Sequence, residues 1–456
     1  MPSLSPNLFK AYDIRGIVGK TLTPEVAEVL GRAIGTEALV RKQARLCVGR
    51  DGRLSSEALA DALTQGVLST GVNVIDVGMV PTPLLYFATH ELGCHSGIMV
   101  TGSHNPPEYN GFKIMLGGDT LAGEAIQALR QRIDAREFAD GRGLLSQASV
   151  AEAYYSRIVA DIQLDRPVSV VTDCGNGVAG AFAPVLYRRM GCKVRSLFSE
   201  VDGHFPNHHP DPSRPENLNE LIHAVASTDA ELGLAFDGDG DRLGVVGRDG
   251  RILYPDRALM LFAAEVLEKN PGAKIVYDVK STRLLAPWIK QHKGKPVLCR
   301  TGHSYMKAKQ KEVSALLCGE LSGHVLFADR WPAFDDGIYA GARLLEIVAR
   351  VDNPTALFNA LPDAISTPEL QLPLKEGQPT EVMQTLGKQA EFAGATDIIN
   401  LDGLRVEFDD GFGLVRASNT TPMLTLRFEA DTPEALARIR KVFLAQIQAV
   451  LPDAVF

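Results

Sequence analysis

The stretch Gly97-Ile98-Met99-Val100-Thr101-Gly102-Ser103-His104-Asn105 joins a short apolar run to a polar, glycine-containing segment. An apolar run of this length with turn residues after it predicts a strand that is buried on both faces of a sheet. Open α/β sheets bind ligands just beyond the carboxyl ends of their strands. The stretch therefore predicts an α/β fold that places the Ser103 hydroxyl at the binding edge of a sheet.

The same alternation of strands and helices occurs three times along the chain. The predicted strands of the three repeats are 46–49, 72–77 and 97–100; 168–172, 193–197 and 232–236; and 274–277, 297–299 and 315–318. Alternating strands and helices are typical of βαβ units, in which helices cover the sheet. Because each repeat ends in a polar loop, at 101–105, 237–242 and 319–324, we expect these loops to meet in one cleft.

Helix signals accompany these strands. In the first repeat, Thr82 is predicted to cap a helix and Pro83 to occupy its first turn, since a threonine oxygen can accept from an unpaired amide. In the second repeat, residues 178–189 are predicted as one helix.

The pattern changes after about residue 365. A helix at 381–391 precedes three predicted strands, 404–408, 413–416 and 423–428, and a final helix begins with a cap signal at Thr432. At roughly 150 residues per domain, a chain of 456 residues should form several domains. We therefore expect three topologically related α/β domains plus a smaller α+β carboxyl-terminal domain around a central cleft. The predicted boundaries are 1–150, 151–251, 252–363 and 364–456.

Composition excludes several classes of protein. With 45% apolar and 22% charged residues, the chain resembles globular proteins. The formal net charge of −8 and the lack of Lys/Arg blocks argue against a nucleic-acid partner. The six scattered cysteines without a Cys-x-x-Cys pair are typical of reduced thiols. Without a secretory signal or a run of about 20 apolar residues, we expect a cytoplasmic protein with no membrane contact.

Asp237, Asp239 and Asp241 alternate with glycines in the second polar loop. Oxygen ligands of this kind suit Mg²⁺ or Ca²⁺. An EF-hand would need glycine and glutamate where the chain has Arg242 and Arg248. Arg242 either holds a phosphate near the metal or balances the charge of the aspartates, and the sequence leaves both roles open.

Ser103 is a candidate nucleophile, which would require a base or a metal to activate it. The Gly-x-Ser-x-Gly elbow of many hydrolases is absent, because Asn105 stands where the second glycine would be. A serine together with an acidic metal site favours phosphoryl transfer over acyl transfer.

Two further loops carry polar groups suited to a phosphosugar. Glu320 and Ser322 lie two residues apart and could bind neighbouring sugar hydroxyls, or form a helix-start loop with a capping glutamate. The segment 416–421 offers several hydrogen-bond donors to phosphate oxygens, although a turn of this composition is also common without a ligand. The candidate donors in it are Arg416, Ser418, Asn419 and Thr420.

Together, the loops at 101–105, 237–242, 319–324 and 416–420 resemble those of the α-D-phosphohexomutase family, and most closely its bacterial phosphomannomutase/phosphoglucomutase group. The resemblance covers essentially the whole chain. It implies reversible phosphoryl transfer between the 1- and 6-positions of glucose or mannose phosphates, through a phosphoserine and a hexose 1,6-bisphosphate. Ser103 would carry the phosphoryl group, and Mg²⁺ would be held by the three aspartates and a phosphoserine oxygen.

The resemblance also implies a role for each domain and for further residues. In chain order, the domains would carry the phosphoserine, the metal, the sugar-recognition loop and a phosphate-binding loop. Arg15 and Lys113 would stabilise the transferring phosphoryl group. Substrate-binding roles are implied for Tyr12, Arg242, Lys280, Glu320, Ser322, His324 and the donors of 416–420. The candidate proton carriers, which the sequence does not rank, are Lys113, His104, His303 and His324.

A family member of this kind would act as a monomer on a small phosphosugar, with glucose 1,6-bisphosphate as activator. The nearest alternative is a phosphoglucosamine mutase, although Thr101 and Leu321 favour the hexose branch. A metal-dependent sugar phosphatase would release free phosphate continuously. A Ca²⁺-binding or sugar-binding protein would bind without isomerisation.

Overall fold

The computed structural model describes residues 4–418 and 421–456 of the chain. Its contacts divide it into two units. The first comprises the chain up to Glu265 together with Ser322–Ala360, and the second comprises Val266–Leu321 and Leu361–Phe456. Each unit has its own hydrophobic core.

The first unit opens with a mixed sheet flanked by helices. Its strands are β1 (Ile14–Ile17), β2 (Arg45–Arg50), β3 (Asn73–Met79), β4 (Gly97–Val100), β5 (Tyr109–Leu116), β6 (Asp119–Thr120) and β7 (Leu145–Gln147). The helices are a 3-10 turn at Pro6–Leu8, then α1 (Pro24–Val40), α2 (Ser56–Leu68), α3 (Thr82–Glu91), α4 (Glu124–Ala135) and α5 (Ala151–Asp161). The strand order is β1-β5-β4-β2-β3-β7, with β6 beside β5. As predicted, β2 runs parallel to β3 and β4, whereas β5 runs antiparallel to both β4 and β1.

A second sheet in this unit follows the same plan. Its strands are β8 (Ser169–Asp173), β9 (Lys193–Leu197), β10 (Leu232–Phe236), β11 (Leu243–Gly247) and β12 (Ile252–Leu253). Its helices are 3-10 turns at Val178–Ala181 and Pro215–Leu218, α6 (Ala183–Arg189) and α7 (Asn219–Ala226). The order is β12-β11-β10-β8-β9. Here β10 is parallel to β8 and antiparallel to β11, just as β4 is parallel to β2 and antiparallel to β5.

The chain continues through α8 (Pro255–Lys269) and a third set of strands. In the second unit, β13 (Lys274–Asp278) lies between β14 (Lys295–Cys299) and β15 (Leu317–Gly319), and all three strands are parallel. The helices α9 (Leu285–Gln291) and α10 (His303–Val313) connect them. The first unit then includes β16 (Val325–Phe327), α11 (Gly337–Ala349) and α12 (Pro354–Asn359).

The last part of the second unit is an antiparallel sheet with two helices. Its strands are β17 (Ile365–Ser366), β18 (Leu370–Pro373), β19 (Asp397–Ile399), β20 (Leu404–Phe408), β21 (Gly411–Ala417) and β22 (Met423–Ala430). The helices are α13 (Gln378–Gln389) and α14 (Pro433–Gln448). The order is β17-β22-β21-β20-β19, with β18 beside β22, and both helices pack on β21. This is the α+β arrangement that the sequence predicted.

Two local predictions were wrong, each for a physical reason. Pro81, not Thr82, precedes the first turn of α3, because the Thr82 hydroxyl donates to Asp239 Oδ2 at 2.5 Å. The helix predicted at 178–189 is divided at Phe182, whose φ of −121° is outside the helical range.

The predicted cap at Thr432 is present, because its side chain accepts a hydrogen bond from the Ala435 amide at 3.2 Å. Thr432→Ala should therefore weaken the start of α14 by about 1 kcal/mol. Hydrogen exchange of the α14 amides should become about five-fold faster, since a change of 1.4 kcal/mol alters an equilibrium constant about ten-fold. Thr432→Ser keeps the hydroxyl and should preserve the slow exchange. Equal exchange in all three proteins would contradict a capping role.

Within the part of the chain that the structure describes, no helix is both long and apolar enough to cross a bilayer. The cysteines described are free and buried, as expected for reduced thiols.

Candidate active site

Ser103 lies in the loop that joins β4 to the antiparallel strand β5. It is 2% exposed, and its φ of +49° places it in the left-handed region, which is uncommon for a residue with a side chain. Its hydroxyl donates to Asp237 Oδ2 at 3.1 Å and lies 3.2 Å from His104 Nδ1. The serine loop and the aspartate loop of the first unit therefore meet at Ser103.

The aspartate loop connects the antiparallel strands β10 and β11. Ligand atoms of Asp237, Asp239 and Asp241 lie within 4.8 Å of one another, and all three residues are fully buried. A side chain at Gly238 would place its Cβ 2.3 Å from the Ser103 carbonyl oxygen, so the close approach of the two loops requires glycine.

A lysine on β5 provides the cation that these carboxylates contact. Lys113 Nζ donates to Asp239 Oδ2 at 2.7 Å and to Asp241 Oδ2 at 2.5 Å. Burial lowers the pKa of Lys113, but the two carboxylates outweigh it and hold this pKa well above its ordinary value. Lys113 is a charged residue in a strand that is otherwise apolar around it and buried, and these two ion pairs compensate its charge there.

The donor set fits a hard divalent cation. Burial, followed by the charges of Asp239 and Asp241, raises the pKa of Asp237 well above its ordinary value. Among the described residues, Asp239 Oδ1 has no hydrogen-bond partner although it is buried. Three carboxylates with an unpaired buried oxygen are a suitable ligand set for Mg²⁺.

Two arginines border this cluster. Arg15, on β1, donates to Asn105 Oδ1 and to Asp13 Oδ2, each at 2.5 Å. Arg242 Nε lies 3.7 Å from Asp237 Oδ2. Burial lowers the pKa of Arg242, but the neighbouring carboxylates, of which Asp237 has the largest effect, outweigh burial and raise this pKa. Tyr12 lies in the bend before β1 and is half-buried. The structure thus brings Arg15 to the serine loop, and it places the Arg242 side chain beside Asp237 of the aspartate loop.

Two of the candidate histidines, His104 and His324, lie in this unit, His104 beside Ser103 and His324 beside Asp241. Burial, followed by the charge of Arg242, holds the pKa of His104 well below its ordinary value. His324 Nε2 lies 3.3 Å from Asp241 Oδ1, and its Nδ1 lies 2.9 Å from the Ser322 hydroxyl. Ser322 and His324 are therefore connected to the aspartate loop.

In the second unit, Glu320 lies against the start of α10. Its Oε1 accepts a hydrogen bond from the Gly302 amide at 2.5 Å, so it binds a helix start in another loop rather than capping its own. His303 is the first residue of α10 and is 5% exposed. Glu320 and His303 are thus brought together by Gly302.

The cations predicted for this unit are paired with carboxylates. Lys280 Nζ donates to Glu369 Oε2 at 2.9 Å, and Arg416 Nε donates to Asp402 Oδ2 at 3.0 Å. Asp402 Oδ2 also accepts from the Thr301 amide at 3.0 Å, which connects Arg416 to the His303 loop. The Ser418 hydroxyl lies 2.9 Å from that of Thr421, and the predicted donors Asn419 and Thr420 lie outside the described residues.

Sequence reasoning missed several residues that support these groups. In the first unit they include Asp51, Arg53, Thr82 and Asn105. In the second they are Glu369, Asp402 and Asp278, whose Oδ2 accepts from the Thr301 hydroxyl at 3.1 Å. One signal was available, because the segment 51–53 follows β2 in the same way that the serine loop follows β4. The others are brought to the site by contacts between distant parts of the chain.

Four family models match the chain consecutively. Those for phosphoglucomutase/phosphomannomutase α/β/α domains I, II and III match residues 6–140, 152–250 and 254–364, and that for the C-terminal domain matches 369–446. The chain belongs to the phosphoglucomutase/phosphomannomutase family. The three repeats found in the sequence are therefore the α/β/α domains of this family.

Similar members of the family cover nearly the whole chain. A protein of Neisseria gonorrhoeae named phosphoglucomutase is 57% identical, over 98% of each chain. A Pseudomonas aeruginosa protein named phosphomannomutase/phosphoglucomutase is 54% identical, over 98% of this chain and 97% of its own. The crystal structure of a phosphoglucomutase/phosphomannomutase family protein from Burkholderia thailandensis is 53% identical. It has a TM-score of 0.95 and matches over 99% of each chain.

Proposed function

We propose that this protein interconverts hexose 1-phosphates and hexose 6-phosphates, with Ser103 as the carrier of the phosphoryl group. The chain is a hexose-phosphate mutase of the isomerase class, since relatives named for this activity match it over almost its full length. The observation that supports the role of Ser103 is its position. Its buried hydroxyl lies 3.1 Å from the first of three clustered carboxylates.

Asp237, Asp239 and Asp241 would hold Mg²⁺ together with an oxygen of phosphoserine 103. When bound, the metal would neutralise charge on the phosphoryl oxygens. Arg15 and Lys113 would place positive charge beside the group in transfer, where positioning and electrostatics supply most of the catalysis. Arg242 and Tyr12 would contribute to substrate binding at the same loops.

In the forward reaction, the bond between Ser103 Oγ and phosphorus breaks as a sugar hydroxyl oxygen bonds to phosphorus. The hydroxyl proton passes to one of His104, His303 or His324. Lys113, the other candidate, donates to Asp239 and Asp241 as an ammonium group with a raised pKa and therefore cannot accept this proton. The product is a hexose 1,6-bisphosphate, and its other phosphate then returns to Ser103 after the sugar has turned round. Ser103 therefore loses one phosphoryl group and regains one in each reaction cycle. Enzyme that has lost its phosphate should regain it from added glucose 1,6-bisphosphate and so become active.

Recognition of the sugar phosphate is proposed for the remaining groups. Glu320 and Ser322 would accept hydrogen bonds from sugar hydroxyls, and His324, whose Nδ1 lies 2.9 Å from the Ser322 hydroxyl, would also bind the substrate. Lys280 and Arg416 would bind the phosphate that is not transferred, exchanging their carboxylate partners for it, with Ser418, Asn419 and Thr420 as further donors. We also propose that the enzyme acts as a cytoplasmic monomer, which sedimentation of the purified protein and cell fractionation would test.

A coupled assay tests the proposed reaction. With Mg²⁺ and glucose 1,6-bisphosphate, the protein should convert glucose 1-phosphate and mannose 1-phosphate to the 6-phosphates without releasing inorganic phosphate. Comparable turnover of glucosamine 1-phosphate would favour a phosphoglucosamine mutase, and continuous phosphate release would favour a phosphatase. Binding without either reaction would leave only a sugar-binding or metal-binding protein.

Glu320→Gln should lower kcat/KM for glucose 1-phosphate by about 10- to 100-fold. A hydrogen bond to a charged group contributes about 1.5–3 kcal/mol, and the amide replaces one acceptor with a donor. Steady-state rates over a range of glucose 1-phosphate concentrations measure this loss. The matched control is Glu312→Gln, at an exposed residue that pairs with Lys309 at 2.8 Å. If both variants retain the wild-type kcat/KM, Glu320 does not bind the sugar.

A further inference from the structure

A buried arginine holds the backbone of the serine loop. Arg53 is 4% exposed, and its guanidinium donates to four carbonyl oxygens of this loop. The acceptors are the carbonyls of Ser103 at 2.7 Å, Asn105 at 2.6 Å, Pro106 at 2.7 Å and Tyr109 at 3.0 Å. The planar, five-donor guanidinium can bind several acceptors at fixed angles, which an ammonium group cannot do.

Asp51 holds the same loop from its amide side. Its Oδ2 accepts from the Thr101 hydroxyl at 2.7 Å and from the Gly102 amide at 3.3 Å. The Thr101 oxygen in turn accepts from the Ser103 amide at 2.8 Å. Asp51 Oδ2 also lies 3.3 Å from Arg53 Nε, so one ion pair fixes both the amide and the carbonyl of Ser103.

This arrangement explains how Ser103 keeps an unfavourable backbone conformation. A residue with a side chain at φ +49° costs of order 1–3 kcal/mol and persists only where its surroundings determine it. The Arg53 guanidinium is also closely packed against its neighbours. A Cβ on Gly102 would lie 2.5 Å from Arg53 Cζ, and the Phe205 ring centroid lies 5.0 Å from the same atom.

We propose that Asp51 and Arg53 are positioning residues that fix the backbone of Ser103 and thereby align its oxygen with the phosphorus atom of the group in transfer. This role rests on the proposed function of Ser103. None of the contacts above involves Asp239, Asp241 or Lys113, so the pair acts through the serine loop. It should therefore govern the rate of phosphoryl transfer rather than the affinity for substrate.

Two variants test this role. Arg53→Lys keeps the positive charge but loses the planar guanidinium that donates to several carbonyls. Thr101→Val keeps the side-chain shape but removes the hydroxyl that connects Asp51 to the Ser103 amide. Each should lower kcat by about 100-fold, because a displacement of about 1 Å can have this effect on an aligned reaction. The KM for glucose 1-phosphate should change less than about two-fold, as expected when an interaction acts only in the transition state. Rapid-quench phosphorylation of Ser103 by glucose 1,6-bisphosphate should slow by the same factor as kcat.

The controls are buried residues with other partners. Arg343→Lys disturbs an ion pair with Asp329 at 2.9 Å, and Thr70→Val removes a hydroxyl that donates to the Val67 carbonyl at 2.6 Å. Both should lower the melting temperature with kcat unchanged. The positioning role is overturned if folded Thr101→Val has wild-type kcat, or if kcat in the test variants falls no more than in controls of equal stability. Retained turnover in Ser103→Ala would instead overturn the proposed function itself.

Discussion

Ser103→Ala is expected to lower mutase turnover by more than about 10⁴-fold, since it removes the hydroxyl that we propose as the carrier of the phosphoryl group. The variant should fold normally, because the lost hydroxyl donates only one hydrogen bond, to Asp237. It should also carry no phosphate after incubation with glucose 1,6-bisphosphate, whereas the wild-type chain gains one phosphoryl group. Coupled turnover and intact-mass spectrometry measure the two effects.

The matched control is Ser69→Ala, which removes a hydroxyl that donates to the Gly66 carbonyl at 2.7 Å near the end of α2. It should leave both turnover and phosphorylation unchanged. A Ser103→Ala protein with the wild-type turnover rate would show that Ser103 is not the carrier of the phosphoryl group. Phosphate that persists in the inactive variant would show that another residue carries it.

Asp239→Asn is expected to lower turnover by about 10³-fold, the scale associated with the loss of one preorganised electrostatic group. Asp239 Oδ2 accepts from both Lys113 and Thr82, and its Oδ1 has no partner among the described residues. An asparagine would offer the metal a neutral oxygen and would oppose the Lys113 ammonium if its amide group faced that side. The Mg²⁺ concentration for half-maximal activity should therefore rise, as a titration of turnover against Mg²⁺ would show.

Removal of the metal provides the companion measurement. Wild-type enzyme treated with EDTA should lose activity and regain it when Mg²⁺ is restored. Asp161→Asn is a suitable control, since Asp161 accepts from the Tyr339 hydroxyl at 2.6 Å and is not one of the three clustered aspartates. Unaltered Mg²⁺ dependence in Asp239→Asn would exclude this aspartate as a ligand.

The strands β4 and β10 were predictable because their sequences contain no polar residue. Every residue of β4 and of β10 is buried, and each run is followed by a polar loop. The antiparallel strand β5 was not predicted, because Lys113 interrupts its apolar pattern. A charged residue is acceptable there only because Asp239 and Asp241, more than 120 positions later in the chain, pair with it.

The residues of the candidate site also differ in how far the sequence could predict them. Ser103 and the aspartates were found because their local sequence has chemical meaning in itself. Asp402 has no such signal, since a single aspartate before a glycine is an ordinary turn residue. Its role depends on Arg416 and the Thr301 amide, which it joins only in the folded chain.

The left-handed backbone of Ser103 also limits which amino acid can serve there. Threonine has the same hydroxyl and would be an equivalent nucleophile by its chemistry alone. A β-branched side chain at φ +49° is a genuine steric outlier, and the residue is 2% exposed, with little room for an additional methyl group. The main chain at position 103 therefore favours serine over threonine.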